Sequence, residues 1–189
     1  MPSRSVEFRS GHYYHIYNRG NNRQLIFFER DNYLYFLRQL RNYLAKDALE
    51  VVAYCLMPNH YHLLAYLKID NLSDVMQPFT LSYTKAINKR YGRVGSLFQG
   101  RFQAIHVDSN EYLLQLSRYI HLNPVSAKLV EKPEDWEFSS YPEYIELRGG
   151  KLPKLDVVRS QFPSVDSYRL FVEANQEIDN QIIQHLTFD

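Results

Sequence analysis

The sequence predicts an α+β fold, and three observations predict it. Short aromatic or β-branched runs alternate with segments of helical periodicity. Gly, Pro and Asn punctuate the boundaries between them. Two strand-like runs flank Met57-Pro58-Asn59, a turn signal, and read as a hairpin.

Taken in order, residues 12–18 (HYYHIYN) are aromatic and β-prone, and residues 19–24 (RGNNRQ) form a polar loop. Residues 31–47 place Leu34, Leu37, Leu40 and Leu44 at helical spacing. Residues 49–57 and 60–68 are the hairpin strands. Residues 71–92 are helical, with Pro78 expected to kink or restart the helix and Gly92 to stop it. Residues 98–108 read as a strand with a bulge at Gly100. Ser109 then caps a helix over 110–123, with Glu111 in its first turn and Asn123-Pro124 ending or breaking it. Beyond residue 130 several prolines mark a loop-rich connection, and residues 165–186 suggest one or two terminal helices.

The first six elements run strand, helix, strand, strand, helix, strand. That is the order of a ferredoxin-like antiparallel sheet covered by helices on one face, with the other face free for a ligand. The expected organisation is a catalytic domain over residues 1–130 and an acidic, loop-rich and helical extension over residues 131–189.

Composition narrows the chemistry. The chain of 189 residues is long enough to bury a proper core. Its single cysteine, Cys55, excludes an internal disulfide and a Cys-rich zinc site. The N-terminal stretch has no apolar signal-like run and no segment reaches the length of a membrane span, so a cytoplasmic protein without a membrane partner is expected. The net charge of +1 hides an asymmetry: 16 Lys and Arg stand against 9 Asp and Glu in residues 1–130, and 6 against 12 beyond them. A basic body suits a polyanion partner. The 16 Tyr and 11 Phe add flat stacking surfaces, although most belong in a core.

His60 and His62 stand two apart in a strand, so both imidazoles point to one face and Tyr61 to the other. Such a pair can grip a divalent metal, but it leaves the site a ligand short; hydrogen-bonded strand histidines are the plainer reading. Tyr119 and Asn123 are i and i+4 on the following helix and share a face, with Tyr112 close to it and His121 pointing away. Tyrosine ionises near pH 10, so as a nucleophile it needs a metal or a base. By periodicity alone Tyr119 is equally a packed helix-face aromatic.

Residues 57–67 (MPNHYHLLAYL) resemble the His–hydrophobic–His motif of the HUH single-strand DNA tyrosine transposases. Residues 19–37, the run GSLFQGRFQAIHVDSNEYLLQLSRYIHLNPVSAKLV, and DWEFSSYPEY resemble further segments of the family's branch associated with repetitive extragenic palindromes (REPs). The resemblance covers about residues 8–145. It implies metal ligation by His60, His62 and Asn123, a Tyr119 nucleophile heading a Tyr-x-x-x-Asn pattern, and Mg2+ or Mn2+ as the ion. It also implies cleavage beside single-stranded or hairpin DNA through a 5′-phosphotyrosine, by a monomer or a homodimer. Arg19, Asn22, Arg23, Lys85, Lys89, Arg90, Arg93 and Arg101 are the candidate DNA contacts, since Lys and Arg neutralise phosphates while aromatics stack bases. The alternatives are a domesticated hairpin DNA- or RNA-binding protein without cleavage, and a metal hydrolase in which His106 or His121 joins the site.

Overall fold

The computed structural model describes residues 6–174. Strand β1 (Tyr13–Arg19) leads through a loop to helix α1 (Arg30–Leu40), which continues into a π-helical turn, Arg41–Ala45. Strands β2 (Leu49–Met57) and β3 (His60–Leu67) form the hairpin; Met57 pairs with His60 across the two-residue turn Pro58-Asn59. Helix α2 (Leu72–Tyr91), strand β4 (Gln103–Val107) and helix α3 (Asn110–Ser126) follow. Short helices α4 (Tyr141–Tyr144), α5 (Asp156–Arg159) and α6 (Val165–Glu173) complete the described chain. The sheet order is β2-β3-β1-β4, with every neighbouring pair antiparallel. That is the ferredoxin-like α+β arrangement which the element order predicts.

Alternation along the strands sorts the core into two layers. Tyr14, Ile16, Tyr61 and Leu63 face α1 and α2, where Phe36, Phe79 and Tyr83 meet them, all essentially buried. Burying each such side chain stabilises the fold by about 1.5–3 kcal/mol. Ala53, Cys55, Leu64 and Val107 face the opposite way, onto Leu113, Leu116 and Ile120 of α3.

That second face is not left open, as the sequence reading expected. Helix α3 crosses it, and Tyr144, Val158, Tyr168 and Val172 from the segment beyond residue 130 join the same cluster. The segment also covers the free edge of β2. Leu56 N donates to Phe138 O at 2.9 Å, Ser140 N to Tyr54 O at 2.9 Å and Lys154 N to Val51 O at 2.8 Å. An edge strand so satisfied offers no template for foreign pairing.

Local expectations are corrected in four places. The buried stripe of α1 and its π turn is Tyr33, Phe36, Leu40 and Leu44, while Leu34 is exposed, because the aromatics set the inward face. Strand β4 begins at Gln103; Phe98 makes only an isolated bridge to Gly20, and Gly100 sits in the intervening loop at φ 127°. Pro78 and Pro124 lie inside continuous helices. Of the predicted helical span 165–186, Val165–Glu173 is helical, and everything past 174 lies outside the described residues. Gly92 does terminate α2, in the left-handed conformation at φ 62°. Among the described residues no helix is long and apolar enough to cross a membrane.

Candidate metal and nucleophile site

The site forms where the hairpin end of β3 meets the C-terminal half of α3. Alternation puts His60 and His62 on the α3 side of the sheet, with Tyr61 buried against Phe36 on the other. Ser109 Oγ caps α3 by accepting from Tyr112 N at 3.2 Å. Leu113, Leu116 and Ile120 then anchor the helix, which leaves Tyr119 and Asn123 over the histidines. Asn123 Oδ1 lies 3.1 Å from His60 Nε2. The Tyr119 ring stands edge to face with His62, centroids 5.4 Å apart, and the His60 and His62 rings are 5.0 Å apart.

Hydrogen bonding constrains the protons. Asn59 Nδ2 donates to Arg23 O at 3.3 Å, which turns Asn59 Oδ1 toward His60 Nδ1 at 2.7 Å. A carbonyl oxygen only accepts, so His60 Nδ1 carries the proton. Burial, only partly offset by the Asn123 contact, pushes the His60 pKa down to about 4, so the ring is neutral near pH 7 and holds one proton. His60 Nε2 and Asn123 Oδ1 then face each other as two lone pairs. That arrangement fits a cation between them. Ligands about 2.1 Å from an octahedral Mg2+ sit on the order of 3.0 Å apart. His62 is fully buried, and burial first, with His60 and His15 adding to it, lowers its pKa well below the ordinary value. Both rings are therefore neutral, as metal ligation requires.

The sequence reading missed His15. It is buried in β1, with Nε2 2.9 Å from His62 Nδ1, rings nearly parallel and centroids 5.1 Å apart. Tyr17 stacks on its other neighbourhood, centroids 4.7 Å away. Asn59 was likewise read only as part of a turn. His15 is the one hydrogen-bonding side chain in an otherwise aromatic and apolar run, Tyr13–Tyr17, and that was the available signal.

Tyr112 does not reach the histidines in the same way. Burial, with Tyr17 and Asp108 nearby, pushes its hydroxyl up to about 12, which makes it a poor nucleophile at neutral pH. His121 points away as predicted: its ring nitrogens meet Tyr168 Oη at 2.8 Å and Ser140 Oγ at 2.9 Å. His106 packs beside His12 and Tyr14 and stays outside the site.

The candidate DNA contacts divide into two groups. Arg19 lies close enough to His60 to lower its pKa, and its Nε donates to Gln99 Oε1. Asn22 and Arg23 are exposed on a left-handed turn, φ 51° and 56°, that wraps the hairpin tip; Ile26 N and Phe27 N both donate to Pro58 O. Gly20 permits this turn, because a Cβ there would stand 2.0 Å from Gln24 O. Arg93 joins the same loop through Gln24 Oε1 at 2.8 Å and lies over the Phe28 ring. Arg90 is instead tied to Glu29 at 2.7 Å and Asp31 at 3.6 Å. Lys85 and Lys89 are exposed on α2, which packs on the opposite face of the sheet, and Arg101 lines a cavity with Asp74 and Gln77.

These features define a class. Residues 8–123 match the family model described as Transposase IS200 like, and the chain belongs to that family. A protein of Haemophilus influenzae (strain ATCC 51907 / DSM 11121 / KW20 / Rd), assigned by name to the REP-associated tyrosine transposases, is 29% identical over 103 residues, covering 49% of this chain. The match spans 58% of that relative's length. A solved structure of a REP-associated tyrosine transposase bound to a REP hairpin superposes with a TM-score of 0.63 at 17% identity, covering 83% of this chain and 96% of that one. That likeness establishes a shared fold.

Proposed function

We propose that the chain is a metal-dependent single-strand DNA endonuclease and strand transferase that cuts beside hairpin DNA through a 5′-phosphotyrosine. The observation that carries this reading is the convergence of His60, His62, Asn123 and Tyr119 from two distant elements. Membership in the IS200-like family supports it, and the hairpin bound by the REP-associated neighbour supports the choice of substrate.

His60, His62 and Asn123 hold the ion, Mg2+ or Mn2+. When bound, it supplies Lewis-acid charge at a non-bridging oxygen of the scissile phosphate. The Tyr119 oxygen attacks phosphorus as its proton leaves. The bond from phosphorus to the 3′ oxygen breaks, and that oxygen gains a proton as a 3′-hydroxyl. The covalent link keeps the phosphodiester's reactivity, so attack by another 3′-hydroxyl reverses the step and joins strands without ATP. Helix α3 holds Tyr119 on a rigid frame beside the ligands, which supplies orientation. Arg19, Asn22, Arg23 and Arg93 line the approach from the hairpin tip and neutralise the backbone. Lys85, Lys89, Arg90 and Arg101 serve as outlying charge. Since Asn123 meets His60 of its own chain, the site is complete in a monomer. This work belongs in the cytoplasm, where host DNA lies.

The test is incubation with Mn2+ and a hairpin oligonucleotide carrying a single-stranded flank. The expected product is a cut strand plus a covalent adduct on a denaturing gel, lost in Tyr119→Phe and on chelation. Cleavage without any adduct contradicts the tyrosine mechanism, and binding without cleavage favours a domesticated hairpin-binding protein.

A further inference from the structure

His15 has no role in the site as described, yet it is the closest polar neighbour of His62. Its ring is fully buried, 2.9 Å from His62 Nδ1 and nearly parallel to the His62 ring. The two nitrogens share one proton, so the tautomers of the two rings are coupled. If His15 Nε2 holds that proton, the neutral His62 must carry its own on Nε2 and has no lone pair there for an ion. If His62 Nδ1 holds it, His15 accepts and the His62 Nε2 lone pair is available. The other nitrogen of His15, Nδ1, is buried with no hydrogen-bond partner among the described residues. The shared bond is therefore what orients the His15 ring.

We infer that His15 is a positioning residue: it accepts the Nδ1 proton of His62 and so presents His62 Nε2 to the divalent ion. The inference rests on the reading of His62 as a ligand. It mirrors the way Asn59 Oδ1 fixes His60, 2.7 Å from Nδ1. The two devices differ in one respect. Asn59 Oδ1 can only accept, so His60 is preset, whereas His15 can donate or accept, so His62 is set as the ion binds. Hydrogen-bond partners of metal-ligating histidines typically govern about 10- to 100-fold in metal affinity.

The test measures Mn2+ uptake by the full chain without DNA, from the electron paramagnetic resonance signal of free Mn2+. His15→Leu is expected to weaken binding about 10- to 100-fold, and His15→Gln, whose amide oxygen still accepts, to recover most of it. Long-range nitrogen–proton NMR of the wild type with Mg2+ is expected to place the His62 proton on Nδ1 and the His15 proton on Nδ1. Unchanged Mn2+ uptake in H15L, equal loss in H15L and H15Q, or a His62 proton on Nε2 with Mg2+ bound overturns the role of His15. If H15L does not fold, the wild-type NMR decides. A wild type that takes up no Mn2+ overturns the metal reading itself, a separate failure.

Discussion

Lowering the pH from about 7 to about 5 will destabilise this protein through four buried imidazoles. Burial pushes His15 and His121 down to about 3, His60 to about 4, and His62 well below its ordinary value. In the unfolded chain each takes up a proton near pH 6.5. The folded chain withholds that proton until far lower pH. The sign follows: stability is full above the unfolded value, falls as the pH drops below it, and keeps falling down to the folded values. Each residue forfeits about 2 kcal/mol over this interval, and four forfeit about 8 kcal/mol. Total stabilities are on the order of 5–15 kcal/mol, so the loss is large enough to approach unfolding. The assay is urea unfolding followed by far-ultraviolet circular dichroism across this range, with chelator present so that no metal binds the site. His121→Gln isolates one contributor away from the metal ligands. It lowers stability at neutral pH, since both ring nitrogens are hydrogen-bonded, but removes about a quarter of the pH dependence. A midpoint that does not move with pH, or an undiminished dependence in H121Q, would refute the reasoning.

Two further outcomes follow from the same contacts. Arg118 is buried and donates through Nε to Val172 O at 3.1 Å and through Nη2 to Ala174 O at 2.5 Å, tying α3 to the end of α6. Arg118→Met should cost about 1.5–3 kcal/mol per lost charged hydrogen bond and speed amide exchange in α6 before α1; unchanged exchange in α6 would count against the tie. Arg23→Ala should weaken hairpin DNA binding and reduce its salt slope by about one, whereas Lys85→Ala, on the opposite side of the sheet, should leave both unchanged; equal effects would remove the division between the two basic groups.

Much of this was legible in the sequence because strand and helix periods are local. The H-x-H spacing alone puts two imidazoles on one face, and the i, i+4 spacing alone pairs Tyr119 with Asn123. Their meeting across 63 positions needed the family resemblance, since no local rule brings β3 and α3 together. His15 was illegible for the same reason. Its contact with His62 depends on the β1–β3 register, in which Tyr17 lies opposite His62 and His15 opposite Leu64. The α1 stripe was misread because leucine spacing was weighed above Tyr33 and Phe36, whose larger surfaces set the inward face. The covered second face was missed because its short helices, α4 and α5, have four residues each and show no periodicity to read.

The central claim is that Tyr119 attacks DNA beside an ion held by His60, His62 and Asn123. The most direct measurement is mass spectrometric mapping of the peptide that carries the DNA adduct formed with Mn2+. The account predicts a nucleotide on Tyr119, absent when chelator replaces Mn2+. A nucleotide on Tyr112, or an adduct formed equally well in chelator, would contradict it.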